Sequence, residues 1–113
     1  KLAHQLVFSV NVMALLEGLA LGVAGGVSPE AMKSVLKQGL ANSTVLQVWH
    51  DLGPRWKGML EPSAPGAPLP NMRKDLHLVL ELAESLGMLL QIADHASQVA
   101  DSGTAIGHND PLL

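Results

Sequence analysis

The chain has no cysteine, so disulfides and thiolate chemistry are closed to it, and its composition fits a reducing, cytoplasmic compartment. Aromatic residues make up 3% of its 113 positions: two tryptophans, one phenylalanine and no tyrosine. With 48% hydrophobic residues and so few rings, the core must be aliphatic, built from Leu, Val, Ala and Met. That mixture favours helices over strands, which prefer aromatic and β-branched residues. Cations are scarce too. Seven Lys and Arg stand against ten Asp and Glu with no basic run, so an electrostatic footprint for nucleic acid is missing. No glycine-rich loop follows a strand pattern, and no serine sits in a nucleophile elbow. None of the five histidines pairs with another at the four-residue spacing of a helical zinc site, so no metal is expected.

What the chain does have is a long apolar opening, KLAHQLVFSVNVMALLEGLALGVAGG. A helical stripe through Val7, Val10, Ala14 and Leu21 runs along it, but Leu15, Leu16, Leu19 and Ala20 make it apolar nearly all round. Such helices are buried in protein or in lipid. From Leu6 to Ala24 the run approaches the roughly 20 residues of a membrane span, and Gly18, Gly22 and Gly26 offer small-residue spacings for close helix contact. Glu17 in mid-run and the absence of flanking basic clusters favour a buried helix of a soluble protein. Lys1, His4 and Gln5 share one face of its first turns. An ammonium, an imidazole and a carboxamide are thereby held together on one rod, which suits a proton donor beside groups that hold a polar substrate. Many amphipathic helices begin the same way.

Beyond the Gly25-Gly26 break, Ser28-Pro29-Glu30 carries a helix-start signal: a capping hydroxyl, a proline tolerated at the first position and an acid at the positive end. Met32, Val35 and Leu36 give that helix an apolar side, and Gly39 ends it. Asn42-Ser43 starts a further helix with Val45, Leu46, Val48, Trp49 and Leu52, interrupted at Gly53-Pro54 and followed by an amphipathic turn from Arg55 to Leu60. Glu61 to Pro70, with four prolines in ten residues, reads as a loop. From Asn71 to Leu86 the helical pattern returns, with Met72, Leu76, Val79, Leu80, Ala83 and Leu86 inward and Arg73, Lys74, His77, Glu81 and Glu84 outward. A last helix is expected over Met88 to Ala100, its inner side formed by Leu89, Ile92, Ala93, Ala96 and Val99, ending at Asp101-Ser102-Gly103 before an irregular tail. The expected fold is therefore all-α: one domain over residues 1–113, a bundle of five or six helices around one long buried helix. Lys74-Asp75 is either a solvated first-turn pair or part of a site.

The ordered set KLAHQ, LLEGLALG, a glycine-rich break before SPEAM, GLANSTVLQ and MRKDLHLVLELAESLGMLL resembles the carboxy-terminal domain of the β-hydroxyacid dehydrogenases, relatives of 3-hydroxyisobutyrate and 6-phosphogluconate dehydrogenases. The likeness covers nearly the whole chain. It implies an amino-terminal Rossmann domain ahead of Lys1, which a chain beginning on Lys rather than Met also leads one to expect. NAD or NADP would be bound mainly there, and the helical domain would bind substrate and form an oligomer interface. By the same resemblance Lys1 is the catalytic lysine that exchanges a proton with the substrate hydroxyl while hydride moves to or from the nicotinamide. His4 and Gln5 hold substrate or orient that lysine, Asn42 and Ser43 approach the ligand, and Lys74 with Asp75 lies near substrate and nicotinamide. The His4-Gln5 pair stands where many members have two asparagines and resembles the branch acting on four-carbon sugar acids such as threonate. Ala67 replaces a common aromatic, and the tail lacks most of the family's last helix. The implied partners are a small hydroxy acid, the Rossmann domain and further copies of the chain, with no nucleic acid and no membrane. A free-standing helical interaction module without catalysis is the alternative from another class.

Overall fold

The structure, a computed structural model, describes residues 1–47 and 68–102. Among them are four helices: α1 (Leu2–Ala24), α2 (Pro29–Gln38), α3 (Pro68–Ser85) and α4 (Gln91–Asp101), with helical backbone also at 44–47 and no strand. The domain is an all-α bundle organised around α1, which packs against α2, α3 and α4, while α3 also packs on α4. The expectations for residues 48–67 and 103–113 (Val48, Trp49, Leu52, Gly53-Pro54, Arg55 to Leu60, Ala67 and the tail) lie outside the described residues.

Local chemistry explains the helix ends. Ser28 Oγ accepts the Ala31 N–H at 3.2 Å, with Pro29 and Glu30 following, and Ser43 Oγ accepts the Leu46 N–H at 3.2 Å. α1 and α3 both stop in the same backbone device. Val27 N–H donates to Gly22 O and Gly26 N–H to Val23 O, while Met88 N–H donates to Ala83 O and Gly87 N–H to Glu84 O. Each pair of bonds needs a left-handed residue, supplied by Gly26 (φ 98°) and Gly87 (φ 67°).

The core is aliphatic, as composition requires. Val12, Met13 and Leu16 of α1 join Val45, Met72 and Leu76 with Ala96 and Ala100 of α4. Leu16, Leu46 and Leu76 are completely buried. By the usual transfer values each such side chain contributes about 1.5–3 kcal/mol.

Several expectations differ from the structure. On α1, which is apolar nearly all round, the buried face is Ser9, Val12, Met13, Leu16 and Leu19; of the stripe through Val7, Val10, Ala14 and Leu21 only Val10 is half-buried, Val7 and Ala14 are exposed and Leu21 is 77% exposed. A helix apolar on all sides gives periodicity nothing to select. α3 begins at Pro68, inside the segment expected to be a loop. Prolines 68 and 70 occupy its first turn, where the missing N–H would have had no helical partner. α4 begins at Gln91 instead of Met88, because the reversal at Gly87 leaves Met88 to Leu90 outside any helix. Leu89 and Ile92 are consequently 80% and 69% exposed, and the buried face is Ala93, Ala96, Ser97 and Ala100. Val35 and Leu86, expected inward, are also exposed.

The long apolar helix is less enclosed than its composition suggests. α1 has the length and hydropathy of a membrane span, and only 28% of its most apolar window is buried in the described structure. Glu17 is exposed on it.

Candidate functional site

The first turns of α1 and the first half of α3 meet through polar groups. Gln5 Nε2 donates a hydrogen bond to Asp75 Oδ2 at 2.9 Å, across 70 residues of sequence. Asp75 is 8% exposed and Gln5 is half-buried. A carboxylate so enclosed needs a donor, since a buried acceptor without a partner costs about 1–3 kcal/mol. The other end of the Gln5 amide is used too: Oε1 lies 3.0 Å from His4 Nδ1. Lys1 is one turn earlier, with its carbonyl accepting the Gln5 N–H at 2.9 Å. Its side chain is exposed, as is that of Lys74 beside Asp75, and among the described residues neither makes a hydrogen bond or ion pair. The structure thus joins Gln5, with His4 on its other side, to Asp75 across α1 and α3. Lys1 and Lys74 are exposed on the same two helices.

Asn42 and Ser43 sit elsewhere. They line a groove of about 340 Å³ with Asn11, Ala14, Leu15 and Leu36. Asn11 is six residues beyond Gln5 on α1, about 9 Å along the axis at 1.5 Å per residue. No described hydrogen bond joins the two groups. Asn11, a polar residue inside the apolar run that sequence weighs only against a membrane span, lines this groove and also an apolar one of about 480 Å³ with Leu6, Val10 and Leu90.

A second polar cluster ties α3 to the end of α4. Asp101 Oδ1 accepts from Arg73 Nε and from His77 Nε2, both at 2.8 Å, and Oδ2 accepts from His77 at 3.0 Å. The hydrogen bond from His77 holds the Asp101 carboxyl below the usual carboxylate range; desolvation opposes this in part, and Arg73 adds to the lowering. Among the described residues no three His, Asp or Glu side chains gather to hold a metal.

Residues 1–111 match the family described as NAD-binding of NADP-dependent 3-hydroxyisobutyrate dehydrogenase. The chain belongs to this family. Its cofactor is accordingly NAD or NADP, and the likeness to hydroxyacid dehydrogenases seen in KLAHQ and RKDL is a family relation. Family relatives include 2-(hydroxymethyl)glutarate dehydrogenase of Eubacterium barkeri, 27% identical over 108 residues, which are 95% of this chain and 34% of that protein. Glyoxylate/succinic semialdehyde reductase 2, chloroplastic, of Arabidopsis thaliana is 27% identical over 110 residues, 97% of this chain and 29% of that protein. The chain therefore spans about a third of the length of the curated relatives it matches. No solved structure matches.

Proposed function

We propose that this chain is the helical, substrate-binding part of an NAD(P)-dependent dehydrogenase that oxidises a small hydroxy acid. Family membership supports the reaction class. The observation that supports the site is the Gln5–Asp75 hydrogen bond, which ties the polar start of α1 to α3.

Lys1 is the proton-transfer residue, taking the hydroxyl proton of the alcohol as its carbinol hydrogen leaves. A nicotinamide, when bound, would supply the hydride acceptor. Proton and hydride have to leave together, because an oxidised carbon that keeps its hydroxyl proton carries an unstable positive charge. Gln5 and His4 bind substrate polar groups, and Asn42 and Ser43 approach the ligand from the neighbouring groove. Lys74, an exposed cation, faces the carboxylate of the acid or an anionic part of the dinucleotide. Asp75 positions this cofactor-facing end through Gln5.

The donor set suits the nicotinamide end of the cofactor and leaves the diphosphate unserved, since no glycine-rich loop is present. A Rossmann domain preceding Lys1 would hold the rest. The His4-Gln5 pair favours a larger, more hydroxylated acid of the threonate kind. The exposed apolar side chains Val7, Leu21 and Ile92 call for a covering surface, best supplied by the Rossmann domain and a second copy in a cytoplasmic dimer, and not by a membrane.

The test is turnover of the full-length protein on threonate- and hydroxyisobutyrate-like acids with Lys1→Met. Loss of a positioned proton-transfer group is expected to lower kcat by about 10²–10⁴-fold. Turnover near that of the wild type would overturn the role of Lys1.

A further inference from the structure

The polar chain from α3 to the start of α1 has donor and acceptor roles that can be assigned one link at a time. A carboxylate oxygen accepts hydrogen bonds, and Asp75 Oδ2 accepts one from Gln5. The Gln5 atom 2.9 Å from its Oδ2 is therefore the amide nitrogen, because a flipped amide would set a carbonyl oxygen against a carboxylate oxygen. That leaves Gln5 Oε1 at the far end, and an amide oxygen also only accepts. The His4 Nδ1 that lies 3.0 Å from it must then carry a hydrogen. In a neutral imidazole a proton on Nδ1 leaves Nε2 with a bare lone pair. His4 is exposed, and among the described residues nothing donates to that nitrogen.

We infer that Asp75, acting through the Gln5 amide, fixes His4 as its Nδ1–H tautomer, so that His4 Nε2 accepts a hydrogen bond from a substrate hydroxyl. This rests on the function proposed above and narrows its substrate. The hydroxyl being oxidised hands its proton to Lys1, and a second acceptor on the same hydroxyl would compete for it. His4 therefore addresses another one. The site selects hydroxy acids with at least one hydroxyl besides the reacting group. Asp75 is a positioning residue here: it touches Gln5, and only its effect on His4 reaches the substrate.

The decisive measurement is nitrogen-15 NMR of the full-length protein labelled at histidine, at mildly alkaline pH, with His4→Phe identifying the His4 signals. The Nδ1–H tautomer is expected to dominate in the wild type. Its share should fall in Gln5→Leu, which removes the acceptor, and in Asp75→Asn, which keeps the shape but allows the Gln5 amide to turn round. A dominant Nε2–H form in the wild type, or the same ratio in all three proteins, overturns the relay. The kinetic counterpart compares kcat/KM for a polyhydroxylated acid with that for the analogue lacking the additional hydroxyl. His4→Phe should reduce this preference about tenfold, the value of one hydrogen bond. Intact turnover with an unchanged preference removes the selection claim alone. A full-length protein that oxidises no hydroxy acid removes that claim together with the functional reading, while the NMR result still decides the relay by itself.

Discussion

Two carboxylates fasten α3 to its neighbours in opposite surroundings. Asp75, nearly enclosed, takes one hydrogen bond from Gln5 of α1. Asp101, exposed, takes bonds from Arg73 and His77 and closes α4 onto α3. By number of partners the exposed carboxylate is the better held. By energetics the order reverses, because exposed ion pairs are weakened by water and salt, whereas a buried acceptor stripped of its donor has nothing to replace it. The buried pair joins the elements that carry Lys1, His4 and Lys74, whereas the exposed cluster fastens the end of α4 to the outer face of α3. Contact number and functional weight are separate quantities in this domain.

The comparison can be broken by substitution, starting with the largest effect. Asp75→Ala should destabilise the domain by about 1–3 kcal/mol, since it leaves the Gln5 amide unpaired and a small void beside it. It should also lower kcat/KM of the full-length enzyme by at least about tenfold. Denaturant unfolding and steady-state kinetics check both, and a variant with unchanged stability would show that Asp75 is not bound as described. Arg73→Ala should lower Tm by clearly less than Asp75→Ala and leave kcat alone, because His77 still holds Asp101. An equal loss of Tm would erase the contrast between the clusters.

The smallest effect is expected from acid. The Asp101 carboxyl is lowered in the folded chain relative to its unfolded value of about 3.9. Its stabilisation is thus fully present above about pH 4 and is lost as pH falls further through the folded value. An acid scan of Tm should show a loss below pH 4 that is reduced in Asp101→Asn. Identical acid limbs in the two proteins would sink the assignment.

Much of the architecture was legible because helix ends are local events. Ser28, Ser43, Gly26 and Gly87 act within four residues of their own positions, and each lies where its chemistry predicts. The buried face of α1 was not legible, since a run such as VNVMALLEGLALG offers apolar residues to every direction. Leu89 and Ile92 misled for a related reason: hydrophobicity marked them as inner, while the chain reversal at Gly87 moved the helix start and with it the inward face. At the site, the grouping of Lys1, His4 and Gln5 on one side of a helix follows from spacing alone. The meeting of Gln5 with Asp75 depends on how two helices cross, which no local pattern encodes. Arg73 and His77 are four residues apart on the outer face of α3 and could have been paired with an acid. Nothing near them in sequence pointed to Asp101.

Position 22 has one more consequence. Gly22 leaves room for the Met32 side chain to lie against the backbone of α1, and a β-carbon there would collide with that thioether. The sulfur thus rests against the α1 backbone, and a sulfoxide is bulkier and polar. Peroxide treatment should therefore loosen α2 from α1 before the aliphatic core gives way. Hydrogen exchange after mild oxidation would register this as faster exchange confined to residues 29–38, and uniform exchange across all four helices would contradict it.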